Sequence, residues 1–345
     1  MNIYTSDGWV DLRGPFKDPR FFTYICIASR QVGKTYSAAN YVLNELDGGF
    51  LWMRRTDTEV QTMMTRPDAN PFIEIHSDIT IEKSDAKALF DINDISEDPP
   101  KWRGYLGALS RLYTVRGFKL SDYIDFMVYD EFIPEKHVRR MAGEGDALLN
   151  IYTTLNGNRE LHGQPPLKMA LLANANNLNS DVLFKLGVTD KIKKMSDKGQ
   201  ELFMDPDRGL VIMLPKAPEV IKRRKRSALA RLIGEDSEFY QMAYENKFAY
   251  NSDLYVLAVD PRSVRPYLVI GDVFIYVKKD NTGFYVSLKK RGEFPAGTEY
   301  PGGAEGVSAS IFLNYPVQKA FNLGGVAFES YAAKKKFLDL FRIKV

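Results

Sequence analysis

Apolar positions in roughly the first 180 residues gather into short β-branched and aromatic runs, separated by stretches of helical period. "FFTYICIA" (21–28) reads as a buried strand. "TYSAANYVLNEL" (35–46) reads as the helix behind it, with Ala38, Ala39, Val42, Leu43 and Leu46 on one face. Gly48-Gly49 stops that helix. "FLWMRR" (50–55), "YIDFMVYDEF" (123–132) and "LKMALLANAN" (167–176) read as three further strands. Between the second and third lies a less regular section, with "SEDPPKW" (96–102) as a loop. Strands alternating with helices predict an α/β fold, a mostly parallel sheet with helices on both faces.

The texture changes after about residue 200. "PEVIKRRKRSALARLIG" (218–234) is strongly basic and of helical period. In "PYLVIGDVFIYVKKDNTGFYVSLKK" (266–290), two β runs are joined by Asp280-Asn281-Thr282-Gly283, a hairpin signal. "FPAGTEYPGGAEG" (294–306) reads as a loop, and "SYAAKKKFLDLFRIKV" (330–345) as a basic helical tail. The expected division is an α/β domain over 1–200, a lid or basic linker over 201–245, and a smaller α+β domain over 246–345.

Composition narrows the setting. A chain of 345 residues is long enough for two cores, and 45% hydrophobic with 26% charged residues is ordinary for a globular protein. A net charge of +3 permits a nucleic-acid partner without arguing for one, so local clustering decides. The single cysteine, Cys26, sits in the first apolar run, which excludes an internal disulfide framework and suits a reducing compartment. His76, His137 and His162 are too scattered for a zinc site without thiolates. No apolar run approaches the roughly 20 residues of a membrane span. The start "MNIYTSDGWVDLRG" lacks the basic-then-apolar order of a signal peptide, so the expected setting is cytosolic.

Chemistry enters at "ASRQVGKT" (28–35). A phosphate loop of pattern G-x-x-x-x-G-K-[ST] cradles anions with backbone N–H groups at a helix N-terminus. Here Ala28 stands at the head, followed by Ser29, Arg30, Gln31 and Val32. Gly33 lets the backbone come close, Lys34 reaches the β- and γ-phosphates, and Thr35 places a hydroxyl on Mg²⁺. The tripeptide alone also fits a surface turn capping a helix. Its place between a buried strand and a helix favours nucleotide binding, and alanine is tolerated at the head if the backbone there is extended. A second element strengthens this reading: "IDFMVYDE" (124–131) is an apolar strand ending in two acids. It delivers Asp130 to the carboxyl edge of the sheet, to hold Mg²⁺ as a Walker-B acid. Glu131 follows, positioned to orient and deprotonate the attacking water. Together they read as an NTP hydrolase; a kinase would need an acceptor site that no motif here supplies.

With its alanine head and internal arginine, the loop resembles that of the large-terminase ATPases of viral DNA-packaging motors, most of all the packaging ATPases of phi29-like podophages. The resemblance continues in order through "FLWMRRT" (50–56), "VYDEFI" (128–133), "LNGNREL" (155–161), "LLANANN" (171–177) and "KRRKRSALARLIG" (222–234), and more weakly into the C-terminal β region. It implies an additional-strand P-loop NTPase sheet followed by an RNase H-like, vestigial nuclease domain. It implies ATP and Mg²⁺ as cofactors, with ATP-driven translocation of double-stranded DNA into a procapsid. The implied assembly is a homomeric ring of five at the portal vertex, in the host cytoplasm. A structural packaging RNA is neither required nor excluded by any feature of the sequence.

The resemblance also implies residue roles. Arg159 matches an arginine finger supplied in trans to a neighbouring subunit's γ-phosphate; the alternative is a surface arginine paired with Glu160. Asn174 matches a polar sensor of the γ-phosphate, with a simple strand-end turn as the alternative. Arg116 is a candidate for a second trans contact. Arg30 either touches phosphate or Glu131, or forms a salt bridge without catalytic consequence. Arg54 and Arg55 either contact DNA or cap their strand. The run Lys222 to Arg226 reads three ways: a solvated arm, a DNA-phosphate contact, or a linker on the neighbouring subunit. In the C-terminal region Asp272, Asp280 and Glu329 are too dispersed among lysines for a two-metal nuclease site, so DNA or portal binding is expected there. An active nuclease-terminase, a helicase and a non-catalytic nucleotide switch stay open as alternatives.

Overall fold

A computed structural model of the chain describes residues 1–86, 88–112, 123–135, 141, 143–176, 178, 180–233, 237, 240, 244, 256, 260–280, 283–323 and 325–343. Arg116, His137, Asn281 and Thr282 lie outside the described residues. The chain forms two compact units, one of Met1–Leu186 with Ile192–Ala249 and the other of Gly187–Lys191 with Tyr250–Val345.

The first unit is built on a nine-stranded sheet. Its strands are β1 (Thr23–Ala28), β2 (Gly49–Arg54), β3 (Ile79–Lys83), β4 (Leu89–Asp94), β5 (Lys101–Ala108), β6 (Ile124–Asp130), β7 (Lys168–Asn174), β8 (Leu202–Asp205) and β9 (Leu210–Met213). The spatial order is β3-β4-β5-β2-β6-β7-β1-β9-β8. The six strands from β5 to β9 run parallel, and antiparallel β3-β4 and β8 extend the two sides. One strand, β7, therefore stands between β1 and β6, the additional-strand arrangement.

Every residue of β1 is buried, because both faces of a parallel strand are covered. Tyr24 and Cys26 share a core with Ala38 and Val42 of the helix Lys34–Asn44, while Ile25 and Ile27, pointing the other way, are equally buried. Phe16, Tyr24, Tyr41 and Phe126 close that core with ring centroids 4.9 to 6.4 Å apart. Parallel register brings the carboxyl ends of β1, β7, β6 and β2 to one edge: Ala28 pairs with Asn174, Leu172 with Asp130, and Met53 with Tyr129.

The first unit departs from the sequence expectations in three places. The less regular section holds the strands β3 to β5, whose half-exposed residues give a weak apolar signal. The expected linker at 201–245 starts inside the main sheet, since β9 pairs with β1. Its basic stretch forms two helices, Pro218–Arg224 and Ala228–Ile233, with a turn between them.

The second unit holds a five-stranded mixed sheet of β10 (Val264–Ile270), β11 (Val273–Lys278), β12 (Phe284–Ser287), β13 (Glu299–Tyr300) and β14 (Val326–Phe328), in the order β13-β10-β11-β12-β14. The first β run expected here splits into β10 and β11 at Gly271, whose φ of 61° suits a glycine turn. Leu268, Ile275, Val286 and Phe328 pack with Val317 and Phe337, from the helices Ile311–Asn322 and Tyr331–Leu340.

Candidate functional site

A cleft of about 1010 Å³ opens at the edge where β1, β6 and β7 end. Ala28 closes β1 as a fully buried, strand-paired residue, so extended backbone accommodates alanine where the usual pattern has glycine. Gly33 does need to be glycine. Its φ is 101°, and an added Cβ would meet the Val10 carbonyl at 3.4 Å and Trp9 Cβ at 3.6 Å. Those neighbours belong to an N-terminal segment packed on the loop. The Val10 N–H donates to the Val32 carbonyl (2.9 Å), and the Leu12 N–H donates to Ser37 Oγ (2.7 Å).

Lys34, the first residue of its helix, is almost fully buried. Its Nζ donates to the Ala28 carbonyl (3.1 Å), the Ser29 carbonyl (2.6 Å) and Asn174 Oδ1 (3.1 Å). Asn174, at the end of β7, thus meets the lysine of the loop. Thr35 Oγ1 lies 3.3 and 3.4 Å from the two Asp130 carboxylate oxygens. This hydroxyl and carboxylate are hard oxygen donors at one point, a set that suits Mg²⁺.

Asp130 is buried and Glu131 half-exposed, with Glu131 in the left-handed region at φ 58°. Such strain costs on the order of 1–3 kcal/mol and clusters at functional sites. Burial raises the Glu131 carboxyl above its ordinary range; the Arg54 guanidinium opposes that shift and the Asp130 charge adds to it.

Arg54 is the residue that sequence reasoning underrated. Ending β2 beside β6, it bonds Asp130 Oδ2 at 2.7 Å and approaches Glu131 Oε2 at 3.3 Å, so one guanidinium spans both acids. Its guanidinium is turned onto the two acids rather than merely capping the strand. Arg55 points to the opposite face by strand alternation. There it is buried, with Nε 2.9 Å from Glu144 Oε1 and Nη2 3.3 Å from Oε2, while the Tyr129 hydroxyl donates to the same carboxylate.

Other candidates move. Arg30 ion-pairs with Glu135 rather than Glu131, although it lines the cleft. Arg159 lies at the far end of β6, away from the cleft. Its guanidinium donates to the Ile124 carbonyl (2.6 Å) and the Pro165 carbonyl (3.2 Å) and ion-pairs with Asp125, not Glu160. With 11% of its side chain exposed, it ties down the start of β6, and a finger role would require these contacts to break.

The basic run is not a free arm. Arg223 donates to the Asp7 carbonyl (2.8 Å) and lies 5.5 Å over the Trp9 ring. Arg224 donates to the Arg30 carbonyl and lies 4.9 Å over Tyr244, and Lys225 lies 5.4 Å over Tyr240. Lys222 and Arg226 stay exposed.

Comparison with known proteins agrees with this fold. Two solved structures match the chain over nearly its whole length. The DNA packaging motor protein gp11 of Phi-28 is 14% identical, covering 99% of this chain and 100% of that one at a TM-score of 0.60. A chain of the bacteriophage Phi-29 genome packaging motor assembly is 18% identical, covering 99% of each at 0.63. At such identities the likeness shows a shared fold. No curated protein matches the chain. The family model of the podovirus DNA encapsidation protein (Gp16) matches residues 18–288, and the chain belongs to that family.

Proposed function

We propose that this chain is the ATPase of a viral DNA-packaging motor, coupling ATP hydrolysis to movement of double-stranded DNA into a procapsid. One observation carries the reading: Lys34 and Thr35, at the start of a helix, face Asp130 and Glu131 at the end of a parallel strand. In this reading the loop 28–35 and Asn174 bind the nucleotide, and Glu131 orients the attacking water and takes its proton. Thr35 and Asp130 would hold Mg²⁺, which when bound neutralises charge on the phosphates. Arg54 keeps both acids paired until the nucleotide arrives. The motor reading adds a homomeric ring of five at the portal, in the host cytoplasm, as the resemblance to phi29-like packaging ATPases implies.

For the second unit this reading takes translocation rather than DNA cutting. Two of its candidate acids are paired with cations, Glu329 with Arg291 and Asp272 with Lys336, and Glu329 also accepts from the Ser287 hydroxyl. The direct test is ATPase rate against protein concentration, with and without duplex DNA. A cooperative rise that DNA steepens is expected; a rate strictly linear in protein and blind to DNA would overturn the motor.

The site also predicts a pH dependence. Burial lowers the Lys34 ammonium to about 8. The lysine must carry its charge to meet phosphate, so ATP affinity should hold below pH ~8 and weaken above it, by up to about tenfold per unit. Titration of ATP binding from pH ~7 to ~10 checks this; a flat profile would remove Lys34 from the phosphate contact.

A further inference from the structure

Two carbonyls of the phosphate loop are held by parts of the chain distant in sequence. The Val10 N–H donates to the Val32 carbonyl (2.9 Å), and the Arg224 guanidinium donates to the Arg30 carbonyl. A trans peptide points its C=O and its N–H in opposite directions, and the Arg30–Gln31 bond is trans. Holding the Arg30 carbonyl therefore turns the Gln31 N–H away from Arg224.

Gln31 carries the conformational cost of that arrangement. Its φ is 55°, in the left-handed region that side chains rarely adopt. Its side chain is exposed, so core packing does not hold it there. Relaxation of Gln31 to negative φ would rotate the 30–31 peptide with it, and the bond from Arg224 opposes that rotation.

Arg224 is itself anchored. It ends the helix Pro218–Arg224, is half-buried, and lies 4.9 Å over the Tyr244 ring. Tyr244 is only 3% exposed, with its hydroxyl 3.3 Å from Ser227 Oγ and its ring 4.8 Å from that of Tyr240. The guanidinium thus rests a face on a buried ring and turns an edge to the loop.

We propose that Arg224 is a positioning residue for phosphate binding, holding the Arg30–Gln31 peptide in the orientation that presents the Gln31 N–H to the phosphates of the nucleotide. The inference rests on the nucleotide reading above and adds a residue, outside the loop, on which the cradle depends. Because the contact is to backbone, its effect falls on the phosphates and not on the nucleoside.

The test measures binding of ATP and of inorganic tripolyphosphate, each with Mg²⁺, to the full chain by calorimetry. Arg224→Met keeps an unbranched stem beside Tyr244 and removes the donor. It should weaken both probes alike, by roughly ten- to hundredfold, the range for a hydrogen bond to a charged group. Gln31→Gly should then recover most of that loss in the Arg224→Met background, because glycine takes positive φ without steric cost. An arginine that merely supports its helix would give a loss that glycine at 31 cannot repair. Arg224→Lys keeps a cationic donor, so it should lose less than Arg224→Met, and it supplies the same cycle in a variant that retains the charge. Unchanged affinity in Arg224→Met, a loss confined to ATP, or no recovery with Gln31→Gly would each overturn the proposal. Failure of the parent reading looks different: a wild-type chain that bound neither probe would sink the nucleotide site itself, and this inference with it.

Discussion

Glu131→Gln should bind ATP as the wild type does and hydrolyse it about a hundred- to ten-thousandfold more slowly, the range of a lost general base. The amide is nearly isosteric with the carboxylate, so the strained backbone at φ 58° and the nearby Arg54 contact are preserved in shape. What is lost is the capacity to accept a proton, and the charge that Arg54 faces. Because burial raises the wild-type carboxyl, its base function should also switch on with rising pH, as the group ionises. Single-turnover hydrolysis alongside nucleotide binding separates the two effects. Wild-type turnover in Glu131→Gln would assign the base elsewhere, and loss of ATP binding would make Glu131 a structural residue.

Arg55→Ala should destabilise the first unit by about 3–5 kcal/mol, because it strands the buried Glu144 carboxylate. The pair is nearly inaccessible and bidentate, and Tyr129 adds a third bond to the same carboxylate. Replacing both partners, as in Arg55→Leu with Glu144→Leu, should recover much of that loss, since two apolar groups leave no charge unpaired. All three tryptophans, Trp9, Trp52 and Trp102, lie in the first unit, so their fluorescence during urea unfolding reports that unit alone. An Arg55→Ala midpoint equal to wild type would show that water reaches Glu144 freely.

These two residues mark where the sequence was legible and where it was not. The runs that became β1, β2, β6 and β7 were readable because strands buried on both faces carry continuous apolar residues. The loop and the acid pair were readable because each is contiguous and lies next to such a run. The meander β3 to β5 was not, since its strands are half-exposed and alternate weakly. Nor could local pattern assign Arg54 and Arg55. Their partners, Asp130 and Glu144, are distant in sequence, and only strand alternation sends neighbouring arginines to opposite tasks. The basic run was ambiguous for the same reason: the rings that hold it, Trp9 and Tyr244, are not its immediate neighbours along the chain. Arg159 offered no local sign that Asp125 would claim it.

The three hydrogen bonds of Lys34 have one more consequence. The ammonium is satisfied by two loop carbonyls and Asn174, so the protein's own groups brace the loop. The ordering entropy of the cradle is spent when the protein folds, not when ATP arrives. Entry of the nucleotide then becomes an exchange of partners around one cation, a step with little rearrangement to slow it, and the same exchange in reverse leaves the cradle set for the next molecule.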